Sequence, residues 1–313
     1  MPFDFNAVTA PFRMQPGLRP LAVGAPQLTP SRPGDRPLAE KLAVLTQHAD
    51  QALVMADGFD AAPALRRLCE HAAAEQPQAW RAHGTSGWEA PLLRWSVDEA
   101  GVVRGDGAPE IGACLQALPA AWRPPALLSL AFAEDFAVID GHTAQIPWLA
   151  VCLPSHWAPQ DKVGRHFAEV HAPVADNRLL LTASEHLAKL VTGTQRWERF
   201  VWTITPEPRL DMHPRRVPPP RWPADADAVA LVAMASFRTE RQTFIPLPEA
   251  RQAIFTIHVE SRPLADALGT PAQVEAVRAA LASMSDAVLA YRGLANARDR
   301  LLEGLLDGLA ARR

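Results

Sequence analysis

Phe237 to Val259, FRTERQTFIPLPEARQAIFTIHV, is the stretch whose reading decides the fold. Its two ends have the period-two texture of strands, and IPLPEARQ between them carries the prolines and charges of a turn. In a strand, Arg238, Glu240 and Gln242 share one face, while Thr239, Arg241 and Thr243 share the other. Arginines on both sides of one glutamate have two readings. One is a solvated sheet edge with surface ion pairs. The other is a site near a sheet end, where an arginine grips a carboxylate bidentately and Glu240 holds a cationic amine or moves its proton.

Short apolar runs lie on either side of this hairpin. ALLSLAF, DFAVID and IPWLAVCL upstream read as antiparallel strands, as do RFVWTIT, VALVAMASFRTERQTF and QAIFTIHV further on. Helical spacing marks Pro37 to Val54, Ala61 to Ala74, and Arg178 to Thr192, the last stopping at Gly193 as a C-cap. The tail from Pro271 to Arg313 is rich in Ala and Leu at helical spacing and breaks near Gly293. Residues 1 to about 36 form an extended arm, and 85–108, with Trp88, Leu92, Leu93 and Trp95, take no clear assignment. Strands grouped between helices predict an α+β fold. An arm and helices span 1–120, a sheet core 121–265 and C-terminal helices 266–313, together making one compact unit.

At 313 residues with 48% hydrophobic and 21% charged side chains, the chain has the composition of a globular protein with a real core. A formal net charge of −3 gives it no electrostatic claim on nucleic acid or an anionic membrane. No apolar run reaches the roughly 18–20 residues that span a bilayer, and the N-terminus has no basic region followed by an apolar one. Cytoplasmic location is the expectation. Cys69, Cys114 and Cys152 are too few and too scattered for an iron–sulfur cluster, and no nucleotide-binding glycine motif occurs. Electrons for any redox chemistry would come from another subunit.

Four of the ten histidines, His142, His156, His166 and His171, fall in one short region. His166 and His171 miss the i, i+4 spacing of a two-histidine metal site, and each histidine alone is more often a satisfied core or surface group. His171 stands out because it ends an amphipathic stretch just before Ala172-Pro173, where a helix must stop. Phe167, Val170 and Val174 give it an apolar surround. Trp202 and Trp148 read first as core fillers, and a non-haem metal site at His156, His166 or His213 stays open.

Three blocks together resemble the haem-dependent oxidative N-demethylases. They are CLPSHWAPQDKVGRHFAEVHAPV (152–174), RTERQTFIPLPEARQAIFTIHVESRPL (238–264) and YRGL (291–294). The resemblance implies a PAS-like antiparallel sheet that binds haem b, wrapped by N- and C-terminal helices. It implies oxidative demethylation of a small secondary amine such as dimethylamine, using O2 and releasing formaldehyde and a primary amine. NADPH would supply electrons through a separate reductase subunit carrying flavin and an iron–sulfur cluster. His171 becomes the expected iron ligand, and Glu240 the acid that receives the amine, with Trp202 beside the substrate. Arg238, Arg241 and Lys162 are expected to serve the propionates. Ala175, Val201 and Ile245-Pro246 depart from the family pattern, where proline, asparagine and arginine are common. A haem- or gas-sensing subunit without turnover is the alternative.

Overall fold

The computed structural model describes residues 3–84, 87–176 and 178–310. Eleven strands occur among them: β1 (Arg19–Pro20), β2 (Leu53–Met55), β3 (Arg81–His83), β4 (Gly87–Ala90), β5 (Trp95–Asp98), β6 (Val103–Gly105), β7 (Asp135–Asp140), β8 (Gln145–Ala150), β9 (Trp197–Thr205), β10 (Ser236–Leu247) and β11 (Gln252–Pro263). Seven form an antiparallel sheet in the order β1-β9-β10-β11-β7-β8-β2, and β3 to β6 form a separate meander. The fold is α+β. No described helix is long and apolar enough to cross a membrane.

The β10–β11 hairpin is the longest pairing, running from Ser236 opposite Pro263 to Leu247 opposite Gln252. A 3-10 turn begun by Pro248 closes it, with Arg251 in the left-handed region at φ 49°. On one face Phe244 stacks on Phe255 with ring centroids 5.0 Å apart. On the other, the Thr243 and Thr256 hydroxyls bond across the strands at 2.7 Å. Pro246 would break a central strand, but pairing with β9 ends at Phe244, so the proline sits where one side of β10 is already free.

Two expected strands are helices. ALLSLAF belongs to the helix Arg123–Ala131, whose residues from Pro125 onward are all buried. An unbroken apolar run does not distinguish a buried strand from a buried helix, and here Pro124 at the first turn favours the helix. VALVAM likewise forms the helix Ala228–Met234, whose first turn is capped by Asp227 accepting from the Ala230 amide at 2.8 Å. Only from Ser236 does the chain become β10. The stretch 178–192 is two helices, Arg178–Thr182 and Ser184–Val191, with a break at Ala183. The unassigned segment 85–108 supplies β4, β5 and β6, residues 85 and 86 lying outside the described residues. The early helices appear as Arg36–Gln47 and Ala62–Glu75, but the first, expected to run to Val54, breaks at His48, resumes for Ala49–Ala52 and gives way to β2 at Leu53. The tail forms helices that break around Gly293, at φ 67°; residues 311–313 lie outside the described residues, as do 1 and 2 of the arm.

Two large cores and two smaller clusters hold these layers among the described residues. The first joins N-terminal helices (Leu45, Leu68, Leu128) to the sheet (Phe136, Trp148, Ile254), and the second joins Trp202, Ile204 and Phe237 to the C-terminal helices. The N-terminal arm lies against the Thr243 face: Gln27 bonds Thr243 at 2.8 Å, and Thr29 lies 3.2 Å from His258. The opposite face is covered by the chain between β8 and β9. Val170 packs there on Ala137 and Leu149, and Val191 on Ile139 and Phe244.

Candidate haem and amine site

Opposed residues of antiparallel strands share a face. Register places Thr203 beside Arg238, Val201 beside Glu240, and Arg199 beside Gln242, all on the face under the β8–β9 connection. After β8 that connection turns back across the sheet. Leu153 donates its amide to buried Asp135 at 2.7 Å, and Pro154 accepts from the Met212 amide at 3.0 Å. Further on, the Phe167 amide bonds the Ala144 carbonyl at 2.7 Å, which fixes the start of the helix Phe167–His171. The His166 ring caps that helix, accepting from the Ala168 amide at 3.2 Å.

His171 ends this helix, with Pro173 two residues on. Its Nδ1 lies 2.8 Å from the Phe167 carbonyl, an acceptor, so the proton sits on Nδ1. Burial, with the charges of Lys162 and Arg199 adding to it, pushes the ring down to about 4. A neutral imidazole with Nδ1–H anchored on a backbone carbonyl has the tautomer and orientation of a metal ligand. Its ring lies against that of Phe167, with centroids 4.1 Å apart, and Val170 beside it in sequence packs in an apolar cluster with Val163 and Trp157.

Glu240 is held at both oxygens. Ser155 Oγ donates to Oε1, and Gln242 Nε2 donates to Oε2 at 2.7 Å. Arg238 Nε donates to the same Ser155 oxygen at 2.9 Å, so the serine proton has to point at Glu240. Arg238 itself, 2% exposed, gives its remaining donors to the carbonyls of Arg209 and Leu210, both at 2.8 Å, and of Leu153 at 3.5 Å. It pins two loops to β10 and has little capacity left for a propionate. Lys162 is on the site face: it donates to the Val170 carbonyl at 3.1 Å, lies 5.1 Å from the Trp157 ring, and is pushed down to about 8 by burial.

Trp202 and Arg241 are not brought to Glu240, because strand alternation turns them to the other face. Trp202, 3% exposed, stacks on Phe237 with centroids 5.7 Å apart and edges against Phe12, as a core filler does. Arg241 pairs with Glu198 at 3.0 Å and donates to the Pro26 carbonyl at 2.8 Å. Among the described residues no three His, Cys, Asp or Glu side chains gather as a metal cluster. His213 is engaged by the Arg215 amide at 3.1 Å and Gln160 at 3.3 Å. An open groove of about 740 Å3 between helix Arg36–Gln47 and the loop 207–217 contains none of the expected site residues.

Sequence reasoning missed Ser155 and Arg199. Ser155 stands in the quoted CLPSHW, but its partner on β10 is a long-range contact. Arg199 lies inside RFVWTIT's strand, and only the β9–β10 register shows that it shares Glu240's face. Three polar atoms of β9 and β11 on this face are buried without hydrogen-bond partners, Arg199 Nε, Thr203 Oγ1 and Ser261 Oγ. A prosthetic group with an apolar body and carboxylate arms suits such a surface, as does the anchored neutral imidazole of His171. The residues present therefore fit haem.

Over residues 36–302 the chain matches the family described as haem-dependent oxidative N-demethylase, alpha subunit-like, and it belongs to that family. No curated protein matches it.

Proposed function

We propose that this chain is the haem-bearing subunit of an oxidative N-demethylase, a PAS-like core acting on a small secondary amine such as dimethylamine. The observation that carries the reading is the pairing of an anchored, neutral His171 with a Glu240 carboxylate held by Ser155 and Gln242. His171 would ligate the iron of haem b through Nε2, and the bound group supplies O2 activation. The net reaction for dimethylamine consumes one O2, two electrons and two protons, and yields methylamine, formaldehyde and water. The electrons come from NADPH through a partner carrying flavin and an iron–sulfur cluster.

Glu240 has the protein's part of the chemistry. A dialkylamine arrives as a cation at neutral pH, and its lone pair must be free before the methyl group can be oxidised. With one lone pair of each oxygen taken by Ser155 and Gln242, the carboxylate presents the others in a fixed direction to accept an ammonium proton. Val201, directly opposite Glu240, supplies apolar surface suited to N-methyl groups. The test is Glu240→Gln. This variant should keep the haem absorption band of the wild type, lose the spectral response to dimethylamine, and release formaldehyde at least ~100-fold more slowly with a reductant. A variant with undiminished formaldehyde release would refute the role of Glu240 and favour a sensing or structural pocket.

A further inference from the structure

Arg199 lies on this face and has no part in the function proposed above. It projects from near the start of β9 beside Gln242, one same-face pair along from Glu240. Its Nε is fully shielded from solvent and has no hydrogen-bond partner. No hydrogen bond or ion pair of its guanidinium exists among the described residues, although the residue as a whole is only partly exposed. Burial lowers its guanidinium from the ordinary value, offset in part by the charge of Glu240. No hydrogen bond or ion pair joins that carboxylate to Arg199 among the described residues; its partners are Ser155 and Gln242.

The shielded Nε–H of this arginine is costly unless something pairs with it. Negative charge is short at Arg199 in particular. Arg199, Lys162 and Arg238 all feel Glu240; Asp161 also acts on Lys162, and Glu40 and Asp211 on Arg238, so Arg199 is the one of the three with Glu240 alone. The planar fork of a guanidinium fits a carboxylate in two parallel bonds. We infer that Arg199 is a carboxylate-binding residue of the site, closing on a carboxylate of the ligand that fills the Glu240–His171 face. The inference rests on the proposed function. A haem propionate and a carboxylate carried by the amine substrate share this chemistry, and the experiment separates them.

The apo chain is prepared as wild type, Arg199→Met and Arg199→Lys. Each is titrated with haem by absorption, and each loaded protein is then titrated with dimethylamine and with N-methylglycine. Loss of one charge-assisted pair should weaken binding roughly tenfold or more in Arg199→Met. Arg199→Lys should recover part of that, since it keeps the charge and loses the fork. A weaker haem affinity identifies a propionate as the partner. Unchanged haem affinity with a weakened response to N-methylglycine alone identifies the substrate's carboxylate. Thermal unfolding of the apo proteins should show Arg199→Met no less stable than wild type, because a partly buried guanidinium without a partner has been removed. Were that variant to fail to fold, Arg199 would be structural and the inference overturned. Haem affinity and amine responses equal to wild type in both variants would also overturn it. Wild type that takes up no haem would contradict the function itself, and this inference with it.

Discussion

Ser155 shows how much of the site hangs on single atoms. Its hydroxyl receives Arg238 Nε–H and passes its own proton to Glu240. Ser155→Ala leaves both partners short of a bond inside the fold, which should cost about 1–3 kcal/mol in urea unfolding and slow turnover as well. His213 gives a prediction in pH. Its ring, 0% exposed, is pushed from 6.5 to about 4, first by burial and then by the Arg216 charge. The unfolded chain therefore takes up the proton before the folded one. This contribution is complete above the unfolded value, and stability falls as pH drops from about 6.5 towards 4, by at most about 3 kcal/mol. His213→Gln should flatten the unfolding midpoint across that window. At this scale the sequence shows residue types and spacing but not partners. His171 could be singled out from the proline that follows it, whereas Arg199 could not be singled out before β9 was laid beside β10.

Elements succeed or fail in the reading according to their punctuation. The hairpin was legible because alternation and a proline-marked turn agreed, and the register then carried Glu240 and Gln242 to one face. The apolar runs ALLSLAF and VALVAM lacked alternation, so only caps and prolines distinguished helix from strand. Asp227→Ala should test this for the second run, lowering stability by about 1 kcal/mol through loss of the cap on the Ala230 amide. Arg238 belongs to the element scale despite its place in the polar cluster, since it binds the loops at 153–155 and 209–210 to β10. Arg238→Met leaves those carbonyls buried without donors. The expected loss is about 3 kcal/mol or more in chemical denaturation, a structural failure distinct from the simple loss of a propionate contact.

In the whole molecule, one buried chain of contacts links the outer helices to the site. Lys41, in helix Arg36–Gln47, is fully buried and lies 3.2 Å from Asp135 at the start of β7, while donating to the Ser129 and Phe132 carbonyls at 3.1 Å. Asp135 in turn accepts from Leu153, the point where the site connection leaves the sheet. Lys41→Met would strand that carboxylate in the core and should cost about 3–5 kcal/mol, read as a lower unfolding midpoint with an unchanged denaturant slope. Composition had indicated a real core but could not show that an N-terminal helix buttresses the site, because such ion pairs join segments far apart in the chain. The central claim, that this assembly holds haem on His171 and offers Glu240 to an amine, is tested most directly by an absorption spectrum of the haem-reconstituted protein with and without dimethylamine. The account predicts a Soret band that shifts when the amine is added. Protein that takes up no haem, or a band indifferent to dimethylamine and to every other small secondary amine, would contradict it.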